Sequence, residues 1–203
     1  EGFLTPDQLF LYRDDGQAPT SLKSTPARFD ANGLMVEQRR AESADGTAVP
    51  FFLVRRADQQ GPAPTLLYGY GGFEVSLTPR YIATFGRLWL ERGGAFAMAN
   101  IRGGGEYGPR WHTAALKENR QRAFDDFLAV AEHLVSENVT TSQQLGIMGG
   151  SNGGLLVGTA FTQRPALFGA VVCQVPLLDM LRYTQLLAGA SWAAEYGDPE
   201  DPK

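Results

Sequence analysis

Apolar and polar positions change rhythm along the chain, and the change marks out its elements. The first part alternates with the period of strands: Phe10 to Tyr12 is a short strand candidate, followed by a turn at Arg13-Asp-Asp-Gly16 and a Pro- and Ser-rich stretch to Pro26 that reads as irregular linker. Leu34 to Ala41 and Ala48 to Arg55 flank Ala44-Asp-Gly-Thr47, whose Asp-Gly pair is a strong hairpin signal. They predict an antiparallel pair at a sheet edge, a placement Pro50 supports because it has no N–H for a central ladder. From Thr65 onward the rhythm alternates between strand and helix. Thr65 to Tyr70 is a buried strand, Tyr81 to Arg92 has helical apolar spacing, and Ala95 to Ile101 is a continuous apolar strand. Ala123 to Glu137 is an amphipathic helix, Leu145 to Met148 a strand, Gly153 to Thr162 a small-residue helix and Phe168 to Val175 a further strand. That alternation predicts right-handed βαβ crossovers and a mainly parallel sheet with helices on both faces.

The stretch Leu145-Gly-Ile-Met-Gly-Gly-Ser-Asn-Gly-Gly154 carries the strongest chemical signal. A strand runs into a glycine-flanked serine and then into a helix, which is the order a G-x-S-x-G nucleophile elbow requires. The glycines leave room for a strained serine whose hydroxyl is pushed out above the sheet. The same turn aims the Asn152 amide at the position of a developing oxyanion. An ordinary glycine-rich turn is the plainer alternative.

Composition narrows the function classes. With 203 residues, 43% of them hydrophobic, and 24 glycines, the chain can bury one α/β core. A net charge of -4 and no basic stripe argue against nucleic acid or an anionic membrane as main partner. The single cysteine, Cys173, excludes an internal disulfide and lies in an apolar run that suits a structural thiol. No apolar run is long enough to span a membrane, and Glu1-Gly-Phe-Leu-Thr-Pro6 has no signal-peptide character, so the expected compartment is the cytoplasm. The chain does not begin with methionine, which leaves a periplasmic or secreted origin and a longer parent protein open.

Two glycine-rich loops compete with the elbow. Gly103 to Gly108 formally matches the dinucleotide fingerprint G-x-G-x-x-G, with Asp125 and Asp126 about twenty residues on. Pro109-Arg-Trp111 follows where a phosphate-binding helix would start, so the loop is read as structural, and neither a cofactor nor a metal is expected. Tyr68-Gly-Tyr-Gly-Gly-Phe73 leaves an early strand, where hydrolases with such an elbow place their second oxyanion donor. A tight turn with core tyrosines is its alternative.

Taken together, Tyr68 to Phe73, Asn100-Ile-Arg-Gly-Gly-Gly-Glu-Tyr-Gly108, Phe124-Asp-Asp-Phe127, Gly149 to Gly154 and Gln163-Arg-Pro165 closely resemble the prolyl oligopeptidases, serine peptidases of the α/β-hydrolase fold. The match runs from about Met35 to the end, in order and at natural spacings. The resemblance implies a truncated α/β-hydrolase domain over residues 27–203, preceded over 1–26 by the last strands of a β-propeller. It also implies that Ser151 is the nucleophile and that the Asn152 amide and the Tyr70 hydroxyl are the oxyanion donors. Trp192, Tyr196, Phe73 and Leu177 would line a proline pocket, for short proline-containing peptides cleaved through an acyl-enzyme. For Trp192 and Tyr196, packing on one helix face at i and i+4 is the alternative.

One departure from the family pattern stands out. The triad order on this fold is Ser, Asp, His, yet no histidine follows Ser151. His112 and His133 lie upstream and are expected to be a supporting and a surface residue, respectively. Asp179, Asp198 and Asp201 precede the expected orienting position. The triad Asp and His would therefore come from missing C-terminal sequence or another chain, and these residues alone would have little activity. An unpaired sheet edge with exposed apolar surface is expected beside them, and with it aggregation, domain swapping or a partner chain. Two other readings remain: a different α/β-hydrolase, either an esterase or a basic-residue oligopeptidase, and a noncatalytic interaction fragment.

Overall fold

A computed structural model describes residues 2–201. Two strands, β1 (Gln8–Leu11) and β2 (Thr20–Ser24), pair antiparallel as a separate two-stranded sheet. The expected linker before Pro26 is thus partly strand. Thr20–Ser24 is exposed throughout and owes its conformation to pairing with β1, a partner its own polar sequence does not announce. Before this hairpin, Phe3 is buried, with its ring edge-on to Phe52 and Phe96.

The main sheet contains β3 (Leu34–Glu42), β4 (Ala48–Arg56), β5 (Thr65–Tyr68), β6 (Ala95–Ala99), β7 (Leu145–Gly150) and β8 (Ala170–Gln174) in the order β3-β4-β6-β5-β7-β8. Strands β6, β5, β7 and β8 run parallel, while β3 and β4 form an antiparallel margin. Pro50 is not on the outermost strand, because β4 pairs on both sides. It lies one residue outside the β4–β6 register, where its carbonyl accepts from the Asn100 amide and its missing N–H breaks no bond of that ladder.

Side chains divide between the faces with period two. Phe51, Leu53, Leu67, Ala97 and Ile147 enter one core cluster, whereas Val54, Phe96 and Met98 enter the other. The first face is covered by α3 (Gln121–Ser136) and α4 (Asn152–Gln163). On α3 the buried residues Phe124, Phe127, Leu128, Ala131 and Leu134 recur at helical spacing, and Asp126 is the polar exception among them. Helix α4 is buried from Asn152 through Gly158 and at Ala160, its last turn is exposed, and it stops at Arg164-Pro165, where proline cannot continue the ladder. The second face is covered by α1 (Ala83–Leu88) with Ile82, Leu90 and Phe29. The expected 81–92 helix is broken at Trp89, whose indole donates to the Ala95 carbonyl at 2.7 Å; a 3-10 turn over Leu90–Arg92 follows.

His133 is half-buried rather than on the surface, with its ring edge-on to Phe51. Cys173 is half-buried, its thiol donates to the Gly154 carbonyl at 3.3 Å, and burial raises its pKa. Strand β8 ends the sheet among the described residues, and Val171 and Val172 within it and Val175 and Leu178 just after it are exposed.

Candidate active site

The elbow forms where β7 meets α4. Ser151 has φ 58° and ψ -117°, a region that costs a non-glycine residue about 1–3 kcal/mol and persists only where its surroundings impose it. The imposed geometry is visible at Gly149, where a β-carbon would lie 2.1 Å from the Gly153 carbonyl oxygen. Serine before a helix ordinarily caps it, but Ser151 makes no side-chain cap bond and is solvent-exposed. Its hydroxyl is therefore available. Its own amide is tied to the Gln174 carbonyl at 3.0 Å, which fixes the turn against the end of β8.

Tyr70 lies two residues beyond β5, which runs parallel to β7 with Tyr68 opposite Met148. Both residues thus reach the same end of the sheet, the carboxyl end where such sheets place their ligands. The Tyr70 phenol and the Ser151 hydroxyl are near neighbours at this end of the sheet. Burial raises the phenol's pKa above its ordinary 10.0, against the smaller opposing influence of the Ser151 hydroxyl, so the group keeps its proton at neutral pH. The Asn152 amide is the first of α4, one of those a helix leaves without an internal acceptor. A protonated phenol and a free amide beside an exposed hydroxyl can stabilise negative charge on an acyl oxygen.

The Asn152 side chain is fully buried. Its Nδ2 donates to the Tyr70 carbonyl at 2.5 Å, while its Oδ1 accepts from Arg120 Nη2 at 2.5 Å and from the Tyr196 hydroxyl at 2.8 Å. Arg120 Nη1 donates to Glu195 Oε1 at 2.9 Å. The same carboxylate accepts from the Phe73 amide at 2.8 Å, and its Oε2 lies 2.8 Å from His112 Nε2, within hydrogen-bond distance. His112 is therefore a supporting residue of this cluster, and its bond goes to Glu195 rather than to Ser151.

Beside the cluster, the Tyr196 ring is edge-on to Phe73 at 5.6 Å and to Tyr183 at 5.6 Å, with the Arg120 guanidinium 5.4 Å from its centre. Burial raises the Tyr196 pKa strongly, so it too is a neutral phenol. Tyr183 donates to the Gly197 carbonyl. Trp192 and Tyr196 do not share one α-helix: Trp192 ends a 3-10 turn over Gly189–Trp192 and Tyr196 ends α5 (Ala193–Tyr196). Trp192 is half-buried and enters no ring pair among the described residues. Leu177 is half-buried in the loop after β8, outside both core clusters. Arg120, Glu195 and Tyr183 are the members of this site that sequence reasoning does not find. They meet their partners across as many as 122 residues of chain, and no local pattern marks them.

The Gly103–Gly108 loop directs its amides inward. Those of Gly103, Gly105 and Gly108 donate to the carbonyls of Trp111, Val75 and Gly105, and the Glu74 amide donates to Gly103. It braces the Gly71–Val75 segment instead of presenting a phosphate cradle.

Known proteins are similar to this chain in sequence and in fold. Residues 83–203 match the family model described as prolyl oligopeptidase family. An uncharacterized peptidase of Sinorhizobium fredii is 58% identical over 100% of this chain, which corresponds to 28% of that protein. A prolyl endopeptidase of Elizabethkingia miricola is 39% identical over 99% of the chain and 29% of its own length. The structure of a post-proline cleaving enzyme from Rickettsia typhi superposes with a TM-score of 0.94 at 46% identity, covering 100% of this chain and 29% of that one. The chain thus spans under a third of these relatives, over part of their α/β-hydrolase catalytic domain. With the strand order, the elbow and the family match in agreement, the chain belongs to the prolyl oligopeptidase family of serine peptidases.

Proposed function

We propose that this chain carries the nucleophile, the oxyanion donors and part of the specificity pocket of a peptidase that cleaves short peptides after proline. The observation that carries the reading is the exposed, strained Ser151 at the strand-to-helix elbow, with the protonated Tyr70 phenol as its neighbour. In acylation, Ser151 Oγ forms a bond to the carbonyl carbon and gives up its proton to a base. Charge moves to the carbonyl oxygen, which the Tyr70 hydroxyl and the Asn152 amide receive. The C–N bond then breaks, the departing amine takes the proton, and water hydrolyses the ester at Ser151. No histidine follows Ser151 in these 203 residues, so the base and its orienting acid are assigned to sequence outside them.

Proline specificity fits the electrostatics of the pocket. The half-buried rings of Phe73 and Tyr196, edge-on to each other, offer apolar surface for a pyrrolidine ring. Glu195, next to Tyr196, is buried, and its carboxylate is occupied by Arg120, the Phe73 amide and His112. It has no free charge to hold an arginine or lysine side chain. The test is turnover by the complete polypeptide of matched peptides ending in proline or arginine at the cleaved bond. The reading predicts kcat/KM higher for proline by at least about a hundredfold. A preference for arginine would overturn it.

A further inference from the structure

Two donors that must face one oxygen sit on different segments here. Tyr70 belongs to the loop after β5 and Asn152 to the start of α4, so their spacing depends on what bridges the two. The bridge is the Asn152 side chain itself, because the residue whose amide is one donor grips, through Nδ2, the backbone carbonyl of the residue that carries the other. Three residues further along the same loop, the Phe73 amide is held by Glu195. Arg120 spans the two clamps, with one terminal nitrogen on Asn152 Oδ1 and the other on Glu195 Oε1. Between the clamps a β-carbon on Gly72 would come within 2.5 Å of Asn152 Nδ2, so the loop lies directly against the amide that holds it.

We infer that the Asn152 side chain, backed by Arg120 and Glu195, is a positioning device that fixes the Tyr70 hydroxyl relative to the Asn152 amide, and so sets the geometry of the oxyanion site. The inference rests on the peptidase reading above and adds to it a role for three side chains, none of which needs to touch substrate. All three are buried: Asn152 is 0%, Glu195 4% and Arg120 8% exposed. A buried polar network of this kind holds one geometry, because any other leaves charged or amide groups without partners. Asn152 is joined to partners 32, 44 and 82 residues away in sequence, which makes it the crossing point of the cluster.

The test is a double-mutant cycle in the complete polypeptide, combining Asn152→Ala, which keeps the backbone amide, with Tyr70→Phe. If the side chain acts through Tyr70, Asn152→Ala lowers kcat by about a hundredfold with little change in KM. In the Tyr70→Phe background the same substitution then costs less than about threefold. Affinity for a peptide ending in prolinal, whose aldehyde forms a hemiacetal with Ser151, falls in step with kcat, while affinity for the matching alcohol holds. Equal losses in both backgrounds, or an unchanged kcat in a folded Asn152→Ala protein, would overturn the inference. Should that variant fail to fold, Arg120→Lys enters the same cycle, since an ammonium cannot span both acceptors. It is expected to show the same non-additivity, and additive losses would refute the device. A wild-type polypeptide that neither turns over proline peptides nor reacts at Ser151 would refute the peptidase reading instead.

Discussion

The molecule contains two buried arginines that bridge distant segments, and they do different work. Arg102 spends its whole guanidinium on fold. Its Nε and Nη2 donate to Asp126 at 2.9 and 2.6 Å, and its Nη1 and Nη2 donate to Asp45 at 2.6 and 3.1 Å, joining the β3–β4 turn to helix α3. Burial opposes the Arg102 charge, but the two carboxylates outweigh it and raise its pKa. Arg120 is less completely partnered. Its Nε is buried with no hydrogen-bond partner among the described residues, and its terminal nitrogens face Glu195 and Asn152 around the loop that carries Tyr70. Burial lowers its pKa, although a guanidinium stays charged at any ordinary pH. Similar chemistry thus serves as a rivet at one place and as a brace behind a reacting group at the other. What separates them is the neighbour: a sheet margin for Arg102, the elbow for Arg120.

Substitutions can separate the two roles. On the elbow side, Tyr70→Phe removes one oxyanion donor and is expected to lower kcat by about 10²–10³-fold with the melting temperature nearly unchanged, as steady-state kinetics and thermal denaturation would report. On the Arg102 side, Arg102→Met leaves the Asp126 carboxylate buried without its counter-charge, and is expected to cost about 3–5 kcal/mol in urea unfolding. The folded fraction should keep the wild-type kcat, and a specific loss of kcat would erase the distinction between the arginines.

Smaller effects test the rim of the same network. Arg102 holds the Asp45 carboxyl well below its ordinary 3.8. A depressed carboxylate contributes stability above the unfolded-state value and loses it as pH falls below that value. Asp45 is 45% exposed, so solvent limits the pair to about 0–1 kcal/mol. Asp45→Asn should therefore shift the urea midpoint slightly at pH 7, and the difference should shrink below pH 3.8.

Glu106 behaves in the opposite sense. Burial raises its pKa above the ordinary 4.5, and its Oε2 has no partner among the described residues, although Oε1 accepts from the Leu77 amide and Asn100. A raised carboxylate contributes its stability below pH 4.5 and loses it as pH rises through the folded-state value. Glu106→Gln should therefore give a small gain in urea midpoint at pH 7 that vanishes below pH 4.5.

The sequence made the elbow legible because its signals are local. Strand, glycine, serine and helix follow one another within a dozen residues, and the observed Ser151 backbone is the one that order demands. The faces of the sheet were legible for the same reason, since alternation in β4 and β6 assigns each side chain to one core. The Thr20–Ser24 strand and the break at Trp89 were not, because each depends on a partner elsewhere: β1 for the first, the Ala95 carbonyl for the second. Arg120 illustrates the limit best. In Lys117-Glu-Asn-Arg-Gln-Arg122 it reads as one charge on a polar surface, and only the return of the chain at Asn152 and Glu195 buries it. The alternative for Trp192 and Tyr196, packing at i and i+4 on one α-helix, does not apply, because a change of helix type falls between them.

The most direct measurement is the site and rate of covalent labelling of the complete polypeptide by a fluorophosphonate, read by peptide mass spectrometry. The account predicts a single adduct on Ser151, formed at least about tenfold more slowly in the Tyr70→Phe protein because the phosphoryl oxygen loses one of its two donors. An adduct on another residue, or an unchanged rate without the Tyr70 hydroxyl, would contradict it.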